Sequence, residues 1–361
     1  MTIKKLRLVN FRNYEDETFF FQEGLNVLSG KNAQGKTNCA EAVFYLTTGS
    51  PFRSRNEKRL IRFGQETARL EAEADSVYGK LTLEAEIFDG GRRFYVNHNE
   101  ATRLVDFMGN MRGVFFTPGE LRLVREGPDE RRRFLNISIS QTSQSYRSAL
   151  IRYGKILDQR NALLKDSDFS LVMQTLPAWD EQLARYAAQI ICARREFLTR
   201  LTPLAASAHD FLTDGQEELL VKAERNYEGG EEEVAQSVLR ELEGAKERDL
   251  RFGFTSVGPH REDLKIQIGG VDARHFASQG QTRTAALAMK LAEVEIFKEI
   301  SGENPVLILD DVLSELDLPR RKKLVERTKG VQCILTCTHA ERVLYGKDTN
   351  KIKIQEGKIV Q

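Results

Sequence analysis

A glycine-rich stretch of eight residues, 30–37, constrains this chain more than any other part of it. Its sequence, GKNAQGKT, matches the pattern G-x-x-x-x-G-K-[ST]. An apolar run at 25–28 precedes it, and a helix-favouring stretch at 38–46 follows it. In this arrangement a strand leads into a loop at a helix N-terminus. The backbone N–H groups of the loop and of the first helical turn point inward and bind phosphate. The stretch therefore predicts a triphosphate-binding loop in an α/β fold.

Each kind of residue in the loop has an expected role. Gly30 and Gly35 allow the backbone to approach the phosphates closely. Lys36 would neutralise the β- and γ-phosphates, and the Thr37 hydroxyl would ligate Mg²⁺. The residues of this stretch that we expect to bind nucleotide are Gly30, Lys31, Asn32, Ala33, Gln34, Gly35, Lys36 and Thr37.

A second site element follows the apolar strand predicted at 306–309. That strand ends in Asp310 and Asp311, and two buried carboxylates are costly unless a cation or a reaction uses them. We expect Asp310 in the Mg²⁺ shell and Asp311 polarising the attacking water. A further strand at 332–337 delivers His339 to the same edge, where it could sense the γ-phosphate or be an ordinary surface histidine. The expected catalytic residues are therefore Lys36, Asp311 and His339, and the expected metal ligands are Thr37 and Asp310.

Two turns are candidates for completing the site. The first, Arg12-Asn13, follows a strand predicted at 3–9 and precedes one at 18–22. Antiparallel pairing would bring this guanidinium and amide near the phosphate loop as a second clamp on the nucleotide, although a solvated turn has the same composition.

The second turn precedes the helical run at 282–300 and carries Ser278, Gln279, Gly280 and Gln281. A hydroxyl and backbone amides at a helix N-terminus suit an anion, but serine is also a common helix cap. About 270 positions separate the phosphate loop from the aspartate pair, which predicts a split ATPase head. In such heads this turn cannot reach its own loop, so we expect it to cap ATP held by a second subunit in a head-to-tail dimer.

Length and charge limit the remaining classes. The 361 residues allow one large or two medium domains, and 54 basic residues nearly balance 53 acidic ones, so nucleic-acid affinity requires a local patch. No run approaches the roughly 20 apolar residues that span a bilayer, and the N-terminus lacks a signal-peptide core. We therefore expect a cytoplasmic protein without membrane contact. Cys333 and Cys337 are expected as buried thiols on one face of a strand.

Patterns along the chain predict three segments. Residues 1–118 form the first part of the ATPase lobe, with an antiparallel sheet beside the phosphate loop. Residues 119–252 form a compact helical lobe without a long coiled coil, in which Pro177 begins a long helix that breaks near Pro203. Residues 253–361 supply the turn at 278–281 and the acidic strand, and complete the ATPase core.

Two basic clusters are candidate DNA contacts. The expected DNA-binding residues are Arg53, Arg55, Lys58, Arg131, Arg132 and Arg133. The last three have an alternative role, which is to brace the lobes by pairing with acidic residues. Contacts to phosphates would make DNA affinity fall steeply with salt and would give no base specificity.

The chain resembles the RecF family, bacterial recombination and repair ATPases related to SMC and ABC heads. The resemblance is carried by LRLVNFRNY at 6–14, the phosphate loop, 118–136 ending in ERRRFLN, GPHRED at 258–263, the turn at 278–281, and LILDDVLSELD at 307–317. The paired aspartates stand where most ABC heads have Asp-Glu. The glutamine that many of these heads place between their lobes is not identifiable at 115–121.

The resemblance implies a slow, DNA-stimulated ATPase that uses ATP and Mg²⁺ and forms an ATP-dependent dimer. It implies binding to duplex DNA near single-strand gaps or junctions. It also implies partnership with RecR, together with RecO, and help in loading RecA at stalled forks and during SOS induction. Three other classes share parts of the pattern: an ABC-type motor of another assembly, a DNA-binding scaffold with negligible hydrolysis, and a small-molecule kinase.

Overall fold

A parallel sheet that is apolar on both faces organises the molecule. The computed structural model describes residues 1–52, 56–313, 316–338 and 349–360. In spatial order the sheet contains β15 (Lys358–Ile359), β14 (Asn350–Gln355), β3 (Leu25–Ser29), β13 (Cys333–Cys337), β12 (Val306–Asp310) and β8 (Gly113–Phe116). Every adjacent pair is parallel except β14 with β15. Such a sheet must be covered on both sides, and its strands are accordingly rich in Val, Ile and Leu.

One face of the parallel sheet packs on an antiparallel sheet and the helix that follows the phosphate loop. The antiparallel strands, in spatial order, are β2 (Tyr14–Phe20), β1 (Thr2–Phe11), β4 (Thr67–Ser76), β5 (Gly79–Phe88), β6 (Gly91–Val96) and β7 (Asn99–Glu100). Helices α1 (Lys36–Thr48) and α2 (Leu104–Phe107) contact this sheet. Leu28, Ile308 and Ile334 of the parallel sheet point into this core.

The other face packs on helices. Val27, Leu307 and Leu335 point to this side, because successive side chains of a strand alternate between faces. The helices beyond α2 are α3 (Leu121–Arg125), α4 (Pro128–Thr142), α5 (Gln144–Leu163), α6 (Phe169–Thr213), α7 (Glu231–Phe252), α8 (Ala273–Phe276), α9 (Gln279–Ser301) and α10 (Leu318–Arg327). A small antiparallel sheet of β9 (Leu219–Ala223), β10 (Leu264–Ile268) and β11 (Val271–Asp272) completes this part. The α/β head with a helical lobe predicted from the sequence is confirmed. The division at residues 118 and 252 stays a prediction.

The longest helix, α6, differs from its prediction. It begins at Phe169 rather than at Pro177, because Asp168 caps it by accepting a hydrogen bond from the Leu171 N–H. It continues for 45 residues with Pro177 and Pro203 inside it. A proline inside a helix costs about 3 kcal/mol, but α6 buries side chains against α5, α7 and α9 along its length. This packing outweighs the local cost and keeps the helix within the lobe.

A buried arginine joins three helices of this lobe. Arg160 of α5 donates to Asp180 of α6 at 2.6 Å, to Asp249 of α7 at 2.9 Å and to Thr255 at 2.9 Å. Its side chain is fully buried. Burial raises the pKa of Asp180, and the hydrogen bond and charge of Arg160 oppose this rise. Removing Arg160 would therefore leave a buried carboxylate without a compensating cation, which is strongly destabilising.

Several sequence predictions hold with shifted boundaries. Strand β2 begins at Tyr14, four residues before the predicted start, which leaves Arg12 and Asn13 alone in the turn. Cys333 and Cys337 are buried, unpaired thiols on one face of β13, and burial raises the pKa of Cys333 to about 12. Strands β9 and β14 were not predicted. Among the described helices, none has the length and apolar character that crossing a membrane requires.

Candidate nucleotide site

The predicted phosphate loop connects β3 directly to α1. Gly35 precedes the helix with φ of 122°, and a Cβ there would lie 2.8 Å from the Tyr14 hydroxyl. A Cβ at Gly30 would contact the carbonyl oxygen of Ile354. Only glycine fits these two positions without displacing a neighbour. The loop therefore has the backbone shape and the close packing that the motif predicts.

Two turns from distant parts of the chain hold this loop. From the β1–β2 turn, the Asn13 amide donates to the Gln34 carbonyl at 3.0 Å and the Tyr14 hydroxyl donates to the Gly35 carbonyl at 2.8 Å. From the β14–β15 turn, the Gly357 N–H donates to the same Gln34 carbonyl at 3.0 Å and the Glu356 N–H donates to the Gln34 side chain at 2.5 Å. The C-terminal hairpin is thus part of the site.

Sequence reasoning missed this hairpin, although a signal for it exists. Residues 350–355 alternate lysines with isoleucines, and Glu-Gly follows them directly. Such alternation before a turn dipeptide is typical of a β-hairpin. What the sequence could not indicate is that the turn contacts Gln34.

Lys36 lies at the centre of the loop. Its ammonium group donates to the carbonyl oxygens of Gly30 at 2.6 Å and Lys31 at 2.7 Å. Burial lowers the pKa of Lys36, and the nearby carboxylates of Asp311 and Asp310 act in the opposite direction. The cation is therefore held at the loop by neutral carbonyls, in a position where phosphate oxygens could become its partners.

The predicted metal ligands lie together at the carboxyl edge of the parallel sheet. Asp310 ends β12 and is 2% exposed, and its Oδ1 accepts hydrogen bonds from the hydroxyls of Thr37 at 2.9 Å and Thr336 at 2.7 Å. Thr37 and Asp310 are 273 positions apart in the chain. A hydroxyl and a carboxylate beside a phosphate loop are oxygen donors of the kind that Mg²⁺ uses together with water and substrate phosphates. The two residues therefore fit the ion.

Asp311 has an uncommon backbone conformation. Its φ is 53°, and its N–H donates to the Thr336 hydroxyl at 3.0 Å. Left-handed φ is uncommon outside glycine, and Asp and Asn tolerate it best. The side chain is half-buried and near enough to Lys36 to influence its pKa. This places a carboxylate beside the phosphate loop, as a general base requires.

The structure places Arg12 beside helix α1. Its guanidinium donates to both oxygens of the buried Glu41, at 2.8 and 2.9 Å, and to the Arg59 carbonyl at 2.7 Å. Asn13 contacts the loop itself through Gln34 and accepts a hydrogen bond from Asn38 at 2.7 Å. Both residues therefore support the loop, and direct contact of either with a nucleotide stays a prediction.

The turn at 278–281 caps helix α9. The Ser278 hydroxyl accepts from the Gln281 N–H at 3.2 Å, and the Gln281 side chain accepts from the Ser278 N–H at 2.7 Å. Ser278, Gln279 and Gly280 are exposed. Within the described ranges, no hydrogen bond joins this turn to residues 30–37. Ser278 is therefore the helix cap that its position before a helical run suggested. Its exposed neighbours leave the turn accessible to another molecule.

The second basic cluster braces the helical lobe. Arg131 is 3% exposed and donates to both oxygens of Asp263, at 2.5 and 2.8 Å, and to the Leu123 and Glu126 carbonyls. The prediction that Arg131 contacts DNA is therefore wrong, because its guanidinium is buried and engaged.

Arg132 and Arg133 are also engaged, through Asp129 and the Glu262 carbonyl for the former and the Phe52 carbonyl for the latter. Of the other cluster, Lys58 pairs with Asp89 at 2.7 Å on the surface. Arg53 and Arg55 lie outside the described residues, as does the predicted catalytic His339.

The GPHRED stretch is built into the same lobe. The His260 Nδ1 accepts from the Tyr153 hydroxyl at 2.5 Å, and its Nε2 donates to the Thr255 carbonyl at 3.0 Å. Burial lowers the pKa of His260 to about 4. The imidazole is therefore neutral at pH 7, and its hydrogen bonds fix the orientation of the turn.

A charged cluster includes a residue of 115–121, the stretch in which many related heads have an interlobe glutamine. Glu120, just after β8, lies 3.9 Å from Lys290 of α9, which pairs with Glu293 at 3.0 Å. Ser138 of α4 also donates to Glu293, at 2.8 Å. Burial raises the pKa of Glu120. A glutamate and a lysine thus link β8 to the helix that begins at the exposed turn.

Comparison with known proteins gives consistent similarities. A family model described as the RecF/RecN/SMC N terminal domain matches residues 2–361. The DNA replication and repair protein RecF of Streptococcus uberis is 39% identical, over 98% of this chain and 97% of that protein. The protein of the same description from Clostridium acetobutylicum is 37% identical over the full length of both.

Solved structures show the same pattern. The recombination mediator protein RecF-ATP of the RecFOR pathway superposes with a TM-score of 0.89 and 33% identity, covering 99% of this chain and 96% of that one. An Smc head bound to the C-winged helix domain of ScpA superposes with a TM-score of 0.59 at 14% identity, covering 100% of this chain and 97% of that one. The second likeness indicates a shared fold alone.

Proposed function

The chain belongs to the RecF family of DNA replication and repair proteins, and from this premise we propose that it is an ATP-driven clamp on duplex DNA. The Thr37–Asp310 hydrogen bond is the observation that carries the ATPase part, because it joins the phosphate loop and the acidic strand at one sheet edge. Two heads close over ATP, hold duplex DNA near a single-strand gap, and release it after slow, DNA-stimulated hydrolysis.

The nucleotide step uses residues of one subunit. Backbone N–H groups of residues 30–37 bind the phosphates, and Lys36 exchanges its carbonyl partners for the β- and γ-oxygens. Thr37 and Asp310 would hold Mg²⁺, which would neutralise charge on the same phosphates when bound. Asp311 accepts the proton of the attacking water.

The assembly step uses a second subunit. Ser278, Gln279 and Gly280 are exposed, and within the described ranges the turn at 278–281 makes no hydrogen bond with residues 30–37 of its own chain. The hydroxyl of Ser278 and the N-terminus of α9 then cap the γ-phosphate of the partner in trans. The ion pair between Glu120 and Lys290 couples a movement of the segment after β8 to a movement of helix α9 when the two heads close. In this way each bound ATP contacts both heads and stabilises the dimer.

The cellular role that we propose for this chain is the one described for its family. RecF-ATP is described in the RecFOR pathway, and we place this chain beside RecR and RecO in helping RecA to load at gaps, stalled forks and during SOS induction. The ATPase serves as a timer here, because the useful product is a change of assembly state rather than a chemical compound.

Mixing two inactive variants tests this function. Lys36→Ala removes the phosphate cation and should weaken ATP binding about 100-fold or more. Ser278→Arg should keep ATP binding but block dimer formation, measured by sedimentation with ATP or ADP. Each variant alone should lack ATP-dependent assembly and DNA-stimulated hydrolysis.

A mixed dimer contains one intact site, with the loop of the Ser278→Arg subunit and the turn of the Lys36→Ala subunit. Mixing should therefore restore part of the dimer and of the hydrolysis. If the mixture is as inactive as its components, each chain completes its own site and the shared-nucleotide clamp is wrong.

A further inference from the structure

A glutamate of the helical lobe contacts the exposed turn at the start of helix α9. The Nε2 amide of Gln281 donates to the Oε1 atom of Glu217 at 2.5 Å, although 64 positions separate the two residues. The Oε1 atom of the same amide accepts from the Ser278 N–H at 2.7 Å. Both polar atoms of the Gln281 side chain are therefore engaged within its own chain. The exposed part of the turn consists of Ser278 and the backbone at 279–280.

The backbone that carries Glu217 is anchored. Glu217 lies in the short loop between α6 and β9, where Nδ1 of the fully buried His209 donates to the Glu217 carbonyl at 3.0 Å. Burial lowers the pKa of His209, so this imidazole is neutral at pH 7. On the other side, the Gly269 N–H donates to the Glu218 carbonyl at 2.9 Å, just before β9 pairs with β10. The Glu217 carboxylate therefore extends from a fixed backbone position.

The hydrogen bonds of the turn depend on one another. A carboxylate acceptor makes the bond from Gln281 stronger than a bond between two neutral groups. It keeps the amide oriented toward the Ser278 N–H, while the Gln281 N–H donates to the Ser278 hydroxyl at 3.2 Å. That hydroxyl accepts through a lone pair, so its own proton is available to a phosphate oxygen. Without Glu217 the amide could rotate away from Ser278, which would weaken the cap and loosen the turn.

We propose that Glu217 is a positioning residue for ATP-dependent dimerisation. It acts through Gln281 to hold the Ser278 hydroxyl and the N-terminus of α9 in place for the γ-phosphate of the partner subunit. The assignment rests on the proposed function and deepens it, because it identifies what keeps the trans cap ordered before the heads meet. A preordered turn lowers the entropy cost of association. A symmetric dimer contains two such turns, so a substitution acts twice.

Replacing Glu217 by alanine and by glutamine separates its hydrogen bond from its charge. Glu217→Ala removes the acceptor and should weaken ATP-dependent dimerisation about 100-fold in sedimentation, which is about tenfold for each of the two turns. Glu217→Gln keeps an acceptor oxygen and should dimerise within about threefold of the wild type. ATP affinity of the monomer and the unfolding temperature should not change in either variant.

Glu218→Ala is the matched control. It removes a carboxylate at the next position, which is exposed and makes no hydrogen bond or ion pair with another described residue, and it should dimerise like the wild type. A defect in Glu217→Gln or in Glu218→Ala as large as that in Glu217→Ala would assign the effect to negative charge rather than to the hydrogen bond. Either result would overturn the proposal.

The mixed dimer shows in which subunit Glu217 acts. Its intact site uses the loop of the Ser278→Arg subunit and the turn of the Lys36→Ala subunit. Glu217→Ala added to the Lys36→Ala subunit should lower the recovered hydrolysis about tenfold at protein concentrations below the dissociation constant of the mixed dimer. The same change in the Ser278→Arg subunit should have no effect. Equal losses from the two placements would contradict a role in positioning the turn.

Hydrogen exchange of the protein without nucleotide tests the contact apart from the clamp. Glu217→Ala should speed exchange of the backbone amides at 281–282 about tenfold, because local opening of the turn becomes easier, whereas Glu217→Gln and Glu218→Ala should not. Unchanged exchange in Glu217→Ala would overturn the positioning role. Faster exchange together with a parent mixture that stays inactive would support the hold of Glu217 on the turn and reject the clamp.

Discussion

At Asp311 a left-handed backbone and a carboxylate near Lys36 occur in one residue. The conformation is held by the Thr336 hydroxyl, which accepts from the Asp311 N–H and donates to Asp310. Thr336 therefore contacts both aspartates: its hydroxyl donates to the Asp310 carboxylate that also binds Thr37, and it accepts from the backbone of Asp311, whose carboxylate influences the pKa of Lys36. Strained backbone of this kind often occurs at functional sites, where surrounding contacts maintain it.

Asp311→Asn tests the general-base role. Asparagine accepts the same left-handed φ, so the fold and ATP affinity should be kept. Hydrolysis should fall at least about 100-fold, because the side chain can no longer take up a proton, and ATP-bound dimers should accumulate in sedimentation. Wild-type turnover in this variant would assign the base to another residue. Equally low turnover in the wild type with DNA would favour a scaffold over a clamp.

At the scale of elements, the last hairpin of the chain supports the first loop of the site. The turn between β14 and β15 donates two backbone hydrogen bonds to Gln34. Gly357 adopts φ of 73°, and a Cβ there would contact the carbonyl oxygen of Asn13. The phosphate loop is therefore clamped between the Arg12-Asn13 turn and the C-terminal turn, and its shape depends on both.

Gly357→Ala should weaken ATP binding by displacing Asn13 and, through it, Gln34. Gly90→Ala is the matched control, since Gly90 has φ of 87° but open space around its Cβ position. Both substitutions carry the left-handed strain of about 1–2 kcal/mol, so both should lower the unfolding temperature. Only Gly357→Ala should raise the Kd for ATP in equilibrium titration. Equal ATP affinity in the two variants would show that the hairpin has no part in nucleotide binding.

Helices α5, α6 and α7 depend on one buried charge. Arg160→Met should lower the free energy of unfolding by about 3–5 kcal/mol, because it leaves the carboxylates of Asp180 and Asp249 without their cation. Denaturant titration at constant pH measures the loss. The further change Asp180→Leu in the same chain should recover part of it, whereas Asp129→Leu, which removes an exposed carboxylate, should not.

The defect should also depend on pH. Burial raises the pKa of Asp180 above its ordinary value, and the loss of Arg160 removes the hydrogen bond and the cation that oppose this rise. The native state then binds protons more tightly, so lowering the pH stabilises it. The difference between variant and wild type should therefore shrink from about pH 8 to about pH 5. A difference that does not change with pH would mean that lost packing, rather than charge, causes it.

At the scale of the whole molecule, the nearly balanced charge means that strong DNA binding requires a dimer of heads. The net charge is +1, so attraction of a single head to duplex DNA is weak beyond its local patches. Arg131 is removed from the candidate contacts by burial, Arg132 is engaged by Asp129 and the Glu262 carbonyl, and Arg133 donates to the Phe52 carbonyl. A symmetric pair of heads places two copies of each remaining patch along one duplex.

Salt titration of duplex binding tests this view. The logarithm of the binding constant should fall linearly with the logarithm of salt concentration, by about 0.9 per phosphate contact. The slope should be about twice as steep for Asp311→Asn held as a dimer with ATP as for Ser278→Arg with ATP, which stays monomeric, and it should not depend on base sequence. Equal slopes would show that a single head makes all the contacts.

The sequence determined much of this protein, because its motifs report local backbone requirements. The phosphate loop, the strand that ends at Asp310 and the capped helix after Ser278 are set by glycine positions, apolar runs and capping residues that act within a few positions of each other. The family was likewise evident from stretches spread over the whole chain.

Only the tertiary structure decided which distant groups meet. Arg131 and Arg160 look like surface arginines in the sequence, but packing buries both and supplies their carboxylates from residues at least 20 positions away. Lysine–isoleucine alternation near the C-terminus predicts a hairpin but not its contact with Gln34, 322 positions earlier. Such partners are chosen by how layers pack on both faces of the parallel sheet, and no local pattern encodes that choice.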